Sequence, residues 1–165
     1  MARMHALELL PDDAGRDVVR RDWQALRDAG LPSQLDHRGA TNTPHLTLVA
    51  APAIGSSEEQ RAVELLGPLL PVEVRAAGIA LLGGARVTLV RLVDVPDPLV
   101  RAVLGLRAAV AEAQHPGWLP HVTLARRIPR TDVPRALDVL GHDDVVLSLS
   151  VLRRWDPDAG VVHAL

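Results

Sequence analysis

Two short segments of the chain repeat the pattern of a histidine followed, two residues later, by a threonine. The first segment, Pro44–Leu48, reads Pro-His-Leu-Thr-Leu, and the second, Pro120–Leu124, reads Pro-His-Val-Thr-Leu. On a β-strand, residues i and i+2 point to the same face of the sheet. Each segment therefore predicts an imidazole beside a hydroxyl, and a fold that joins the segments would place two of each around one substrate.

Two imidazoles around one phosphate can supply a base and an acid at neutral pH, because free histidine titrates at about 6.5. A strained cyclic phosphodiester opens when a base deprotonates water and an acid protonates the departing oxygen. His45 and His121 are the candidates for these roles. Thr47 and Thr123 are candidates to donate hydrogen bonds to the non-bridging oxygens, where negative charge develops. This scheme requires no metal, and the two rings are expected to titrate as a coupled pair.

The elements that must carry these motifs occur twice along the chain. Hydrophobic periodicity and turn residues predict two successive units of strand, helix, strand, helix and strand, with strands at 4–10, 45–50, 72–82, 86–93, 121–125 and 145–154 and helices at 17–29, 56–66, 99–113 and 133–140. A turn glycine follows each histidine at the same distance, as the pairs His45–Gly84 and His121–Gly160 show. This spacing predicts an internal duplication of a βαβαβ unit. One histidine–threonine pair on a strand is more often structural, whereas two at matched places favour a functional interpretation.

Composition narrows the function classes. At 165 residues, 48% hydrophobic and 23% charged, the chain suits one folded domain with its own core. A net charge of −2 argues against a broad electrostatic grip on duplex nucleic acid but leaves room for a local basic pocket. The lack of cysteine excludes disulfides, thiolate nucleophiles and cysteine-ligated zinc. The sequence shows no signal peptide and no membrane-spanning run, so we expect a cytoplasmic protein, and its modest size and ordinary charge balance predict a monomer.

Arg126 and Arg127 follow the second motif directly and are candidates to neutralise a bound phosphate. Regular strand alternation puts Arg127 on the side of His121 and Thr123, whereas a bulge in the strand would put Arg126 there. The structural alternative is a pair of solvated charges at the end of a strand.

The stretches Pro44–Leu48 and Pro120–Arg126 resemble the paired signatures of the 2H phosphoesterases, and most closely those of the 2′-5′ RNA ligase, or RNA 2′,3′-cyclic phosphodiesterase, family. The likeness extends over nearly the whole chain, from a first strand that ends in Leu-Pro through both motifs and both hairpins. It implies an α+β, bilobal fold in which a duplicated βαβαβ unit forms mainly antiparallel sheets around a central cleft. It further implies a single domain, 1–165, whose two pseudo-symmetric lobes carry the motifs 45–48 and 121–124.

The resemblance also implies an enzyme that needs neither metal nor cofactor. Such an enzyme opens a 2′,3′-cyclic phosphate, on an RNA end or a nucleotide, and typically leaves a 2′-phosphate. On this likeness His45 and His121 are the acid–base pair, Thr47 and Thr123 hold the phosphate, and Arg126 is the favoured arginine. The sequence does not decide which histidine is the acid.

Two further functions stay open from the sequence. The same site could act on a small cyclic phosphate metabolite or in reversible 2′-5′ RNA ligation. The sequence contains no Phe or Tyr, the usual side chains for base stacking, which puts a substrate that carries a nucleobase in question. From a different class, the cleft could bind phosphate or RNA without catalysis, although binding alone would not require two titratable rings.

Overall fold

The computed structural model describes residues 3–165, which form four α-helices and one seven-stranded sheet. In chain order the elements are β1 (His5–Pro11), α1 (Asp13–Asp28), β2 (Leu46–Ala51), α2 (Ser56–Leu66), β3 (Val72–Gly83), β4 (Arg86–Asp94), α3 (Asp97–Ala109), β5 (His121–Pro129), α4 (Val133–Leu140), β6 (Val145–Asp156) and β7 (Val161–Ala164). Short 3₁₀ turns occupy Gln34–Asp36, Gly67–Leu69 and Arg130–Asp132. The predicted α+β fold class is confirmed, with small shifts at element ends: α3 ends at Ala109, and His45 lies one residue before β2.

The order of the strands displays the duplication. The sheet reads β2-β1-β6-β3-β4-β5, with β7 added on β6, and every pair is antiparallel. Each strand of the first unit has a counterpart in the second: β1 corresponds to β4, β2 to β5 and β3 to β6. Replacing every strand by its counterpart gives the same strand order read in reverse, so a pseudo-two-fold axis lies between β6 and β3. The third strand of each unit therefore joins the sheet half of the other unit. Both motif strands, β2 and β5, lie at the two edges of this path.

Local sequence signals explain where the first helix begins and which face it buries. The Asp12 side chain accepts a hydrogen bond from the Gly15 amide at 2.8 Å and caps α1. From there Val19, Trp23 and Leu26 recur at helical spacing and are buried against the sheet. Within residues 3–165 no helix has both the length and the apolar character needed to cross a membrane.

Candidate active site at the two edge strands

The two motif histidines are held by the same local device. His45 Nδ1 lies 2.8 Å from the carbonyl oxygen of Thr43, and His121 Nδ1 lies 2.7 Å from that of Leu119. A carbonyl only accepts hydrogen bonds, so Nδ1 is the donor in both rings. In each case the carbonyl belongs to the residue before the motif proline, which favours an extended backbone at that residue. Both rings are thereby fixed so that Nε2 is the nitrogen available for chemistry.

The sheet register places the motif side chains on a common face within each half. Thr47 pairs with Glu8, and Leu46 pairs with Leu9, so Thr47, Glu8 and His45 share one face. In the second half Thr123 pairs with Val90 and His121 pairs with Leu92, which gives the same arrangement. The sequence prediction of an imidazole beside a hydroxyl on each strand agrees with this register.

A β-bulge occurs at the matching position of both motifs. The register of β2 on β1 slips by one residue between Thr47 and Val49, and that of β5 on β4 slips between Thr123 and Ala125. The extra residue in each case is the buried motif leucine, Leu48 or Leu124. Bulges bend a strand and re-aim its side chains, and they are common beside active sites. Their repetition is a structural sign of the duplication that the sequence spacing predicted.

Two tryptophans brace the edge strands across the two halves. Trp23, on α1 of the first unit, donates its Nε1 hydrogen to the Thr123 carbonyl at 3.0 Å. Trp118, in the second unit, donates its Nε1 hydrogen to the Thr47 carbonyl at 3.0 Å. Each indole thus satisfies a motif carbonyl of the other unit, so each unit is tied to the motif strand of the other. Because Trp118 also packs against the core, it serves structure here rather than standing free as a stacking surface.

One arginine fixes the loop that precedes the second motif. The Arg107 guanidinium on α3 donates to the Leu48 carbonyl at 2.9 Å and to the Gly117 carbonyl at 3.0 Å, and it also contacts the His115 carbonyl. Burial lowers the pKa of Arg107, which still leaves an arginine charged. Arg107 therefore links β2 to the loop that carries Trp118, a connection that no pattern in the sequence predicts.

The electrostatic setting of His121 includes charges from the first motif, from β5 and from the loop before β5. Burial is the main cause that lowers the pKa of His121 below its ordinary 6.5, and its hydrogen bond to Leu119 opposes this shift. Positive charge at His45, Arg126 and His115 lowers this pKa further, which requires all three to lie near the ring. The structure therefore brings His45 and His121 into one electrostatic neighbourhood, from opposite edges of the sheet.

The bulge at Leu124 also determines which arginine accompanies His121. After the slip, Ala125 shares a face with Val122, so Arg126 falls on the face of His121. The charge of Arg126 acts on the pKa of His121, whereas Arg127 has a φ of 61° within a second register slip. The Arg127 carbonyl accepts a hydrogen bond from Arg86 at 3.3 Å. Of the two candidates, Arg126 is the one that the fold places beside the motif.

Sequence reasoning missed a buried ion pair beneath His45. The Arg153 Nε on β6 lies 2.7 Å from Glu8 Oε2, and Glu8 Oε1 lies 3.5 Å from His45 Nε2. Glu8 is 5% exposed and Arg153 is 7% exposed. A lone acid between leucines on β1 was the available signal, because a buried carboxylate requires a partner. Its partner is 145 residues away in the chain, and nothing in the sequence pairs them.

One group of side chains within residues 3–165 brings three metal-ligand atoms close together: His5, Asp156 and Asp158. Arg154 lies 2.9 Å from His5 Nδ1 as a donor, so Nε2 carries the ring hydrogen and faces Asp158 at 3.2 Å. Both ring nitrogens are thus engaged, and we assign no metal site to this group.

The sequence of this chain matches a known protein family over most of its length. A family model described as the 2′-5′ RNA ligase superfamily matches residues 15–159. A search of curated protein sequences finds no match.

Similar solved structures cover almost all of the chain. Escherichia coli LigT in complex with NADP+ has a TM-score of 0.55 at 16% identity, over 98% of this chain and 93% of LigT. The Thermus thermophilus protein TT0787 has a TM-score of 0.58 at 17% identity, over 99% and 95%. Kluyveromyces marxianus Usb1 with uridine monophosphate has a TM-score of 0.53 at 13% identity, over 99% and 98%. At such identities these likenesses establish the fold.

Proposed function

The chain belongs to the 2′-5′ RNA ligase superfamily, and from that membership we propose that it is a metal-independent phosphoesterase opening a 2′,3′-cyclic phosphate to a 2′-phosphate. Membership in this superfamily supports an enzyme of the phosphoesterase or ligase type. The cyclic phosphate would belong to an RNA end or to a nucleotide. LigT and Usb1 structures in complex with nucleotides are consistent with such a substrate. We further propose that residues 1–165 act as one two-lobed domain, as a cytoplasmic monomer.

The observation that carries the proposal is the matched pair of histidines. Each ring has Nδ1 bound to a backbone carbonyl and Nε2 left for the substrate. One Nε2 would take a proton from water as the water oxygen bonds to phosphorus. The other would give a proton to the ribose oxygen as its bond to phosphorus breaks. Thr47 and Thr123 would donate to the non-bridging oxygens, and Arg126 would offset their charge.

A small cyclic phosphate metabolite is the second candidate substrate. The chain contains no Phe or Tyr, Trp23 is 2% exposed, and Trp118 is tied to the Thr47 carbonyl. A site with so few aromatic surfaces favours recognition of the phosphate over recognition of a base. The same experiment tests two other functions. One is reversible 2′-5′ ligation by the same residues, and the other is binding of phosphate or RNA without turnover.

The test is a screen of 2′,3′-cyclic mononucleotides, cyclic-ended oligonucleotides and a small cyclic phosphate diester, with EDTA present. Products are identified by the position of the phosphate. We expect 2′-phosphate products, and we expect His45→Ala or His121→Ala to lower turnover by about 10²–10⁴-fold. Thr47→Val should cost less, because it removes one hydrogen bond to the phosphate.

His142→Ala is the matched control, since His142 is an exposed histidine that belongs to neither motif. Thermal unfolding of all variants checks that the losses are not failures to fold. Wild-type turnover in either motif-histidine variant would remove the acid–base assignment. Tight binding of the cyclic phosphate without any product would favour the non-catalytic alternative, and loss of activity in EDTA would contradict a metal-independent reaction.

A further inference from the structure

The loop between α3 and β5, residues 110–120, covers the outer edge of the first motif strand. Within the described residues β2 is the end of the strand path, so this edge pairs with no strand. Three of its carbonyls instead accept hydrogen bonds from the second unit, those of Thr47, Leu48 and Ala50. The donors, in the same order, are Trp118 Nε1 at 3.0 Å, Arg107 at 2.9 Å and the Gln114 amide at 2.8 Å. The α3–β5 loop is therefore fastened along β2.

Arg107 holds this loop at two points and the strand at one. It stands in the last turn of α3, and it is half-buried. Besides the Leu48 carbonyl, its guanidinium contacts the His115 carbonyl and donates to the Gly117 carbonyl at 3.0 Å. A guanidinium carries five N–H donors in a fixed fork, so one side chain can bind three carbonyls, and its charge strengthens each bond. Leu48 is the bulged residue of β2, so Arg107 grips the strand where it departs from regular pairing with β1.

The same loop carries the carbonyl that orients His121. The Nδ1 hydrogen of this ring is donated to the Leu119 carbonyl at 2.7 Å. The Leu119 residue is 49% exposed, so packing does not hold it in place. Its neighbours in sequence do, because Trp118 is bound to β2 and the Pro120 carbonyl accepts from the Val93 amide at 3.0 Å. The orientation of His121 therefore depends on contacts of the α3–β5 loop with β2 and with β4.

The carbonyl that orients His45 is held in another way. It belongs to Thr43, in the loop between α1 and β2. The neighbouring Asn42 side chain donates to the carbonyls of Gln34 and His37, both at 2.9 Å. These contacts lie within the first unit. The orientation of the second histidine, in contrast, depends on the strand of the first motif.

We propose that Arg107 is a positioning residue, which ties the α3–β5 loop to β2 and so sets the orientation of His121 relative to the first motif. This inference rests on the proposed function and adds to it a residue that acts through the loop. Without the guanidinium, two loop carbonyls and the Leu48 carbonyl lose their donor, and the loop is free to shift. A displacement of about 1 Å can lower turnover by about 10²-fold. The groups that would hold the phosphate stay in place, because they lie on β2 and β5 rather than in the loop.

Steady-state kinetics on a 2′,3′-cyclic mononucleotide give the first readout. We expect Arg107→Ala to lower kcat by about 10–100-fold and to change KM by less than about 3-fold, because the orientation of the ring is lost and the phosphate contacts are kept. Guanidinium ion, added well below denaturing concentrations, should restore part of kcat in this variant, because it fills the space that the side chain leaves. Arg107→Lys keeps the charge and the aliphatic stem, but an ammonium lacks the planar fork, so most of the loss should remain.

The tautomer of each motif histidine gives the second readout and needs no substrate. At a pH where both rings are neutral, the nitrogen-15 chemical shifts of the imidazoles show which nitrogen carries the hydrogen. In the wild type we expect it on Nδ1 in both rings, where each meets a carbonyl. In both Arg107 variants His121 should become a mixture of tautomers, whereas His45 should keep the wild-type pattern. A residue that only stabilised the fold would leave both rings unchanged or alter both alike.

The matched control is Arg130→Ala. Arg130 also donates to two carbonyls, those of Gly84 at 2.7 Å and Gly83 at 3.2 Å, at the turn between β3 and β4. This turn belongs neither to a motif strand nor to a loop that precedes one. The control should therefore keep the wild-type kcat and both wild-type tautomers.

Thermal unfolding shows whether each variant folds, and Arg107→Lys, which keeps the stem and the charge, decides the question if Arg107→Ala does not fold. Unchanged kcat in a folded Arg107 variant, or a lower kcat with His121 still in its wild-type tautomer, would overturn this inference. A change of tautomer that His45 shares, or that Arg130→Ala also produces, would overturn it as well. These results leave the proposed function standing. A wild-type chain inactive on every cyclic phosphate would overturn the proposed function, and the tautomers would still show whether Arg107 positions the ring.

Discussion

Breaking the Glu8–Arg153 pair gives a stability prediction that depends only on the fold. The side chains are 7% and 9% exposed, so Glu8→Gln leaves the Arg153 charge buried without a counter-charge. The next acceptor near Arg153 is the Thr41 carbonyl, 3.4 Å from its terminal nitrogen, which is a long and neutral contact. Removing one partner of a buried pair costs about 3–5 kcal/mol. The glutamine oxygen can still accept from Arg153 Nε, so we expect a loss in the free energy of unfolding of about 3 kcal/mol.

The double variant Glu8→Leu/Arg153→Met should recover most of that loss. Apolar residues of similar length avoid the desolvation cost that the two charges incur, and such replacements are often neutral or stabilising. We expect its free energy of unfolding to lie within about 1 kcal/mol of the wild type. The non-additivity of the two substitutions is then the measure of their coupling.

Urea denaturation followed by tryptophan fluorescence measures these changes, because buried Trp23 reports on the packing of α1 against the sheet. For a chain of this size, a 3 kcal/mol loss corresponds to a fall in Tm of about 6–12 °C. Two results would refute the reasoning: a loss below about 1 kcal/mol for Glu8→Gln, or a double variant as unstable as the single one. Either would mean that the pair is hydrated or not formed in solution.

Three further predictions follow from the geometry of the site. Arg126→Gln should raise KM for the cyclic phosphate several-fold, because Arg126 shares the sheet face of His121. Arg127→Gln should leave KM unchanged, because Arg127 does not share that face. Equal effects of the two variants in steady-state kinetics would contradict the bulge assignment. Trp23→Phe should lower the free energy of unfolding by about 1–3 kcal/mol in urea titrations, because the Thr123 carbonyl loses its buried donor; no loss would mean that another donor replaces the indole. Burial lowers the pKa of His121, so the folded state disfavours the protonated ring, and the stability that the neutral ring provides above pH 6.5 is lost as the pH falls below it. The free energy of unfolding of the wild type should therefore fall more between pH 7.5 and 5 than that of His121→Asn. Equal falls in the two proteins would contradict this prediction.

Much of the local structure could be predicted from the sequence because its causes are local. The acid at Asp12 marks the start of α1, and the helical spacing of Val19, Trp23 and Leu26 marks its buried face. The predicted strands at the two motifs agree with β2 and β5 to within one residue at their start. The duplicated unit was predicted because each copy carries the same motif and the same turn spacing.

The choice between Arg126 and Arg127 could not be made in the same way. Regular alternation favours Arg127, and only the slip of β5 against β4 at Leu124 turns Arg126 to the histidine face. A bulge depends on the pairing of two strands, and the sequence of one strand does not specify it. The resemblance to a known family favoured Arg126 for a reason that the residues alone did not supply.

The sequence by itself determined the chemical groups of this protein: two imidazoles and two hydroxyls on strands, in two copies of one unit. The tertiary structure decided how those groups differ. Residues that act on His45 and His121 come from β1, β5 and the loop before β5, and strand pairing joins positions as far apart as Glu8 and Arg153. Periodicity along a chain reports each residue's own strand or helix, whereas the charge and burial around a ring depend on which distant strands fold beside it.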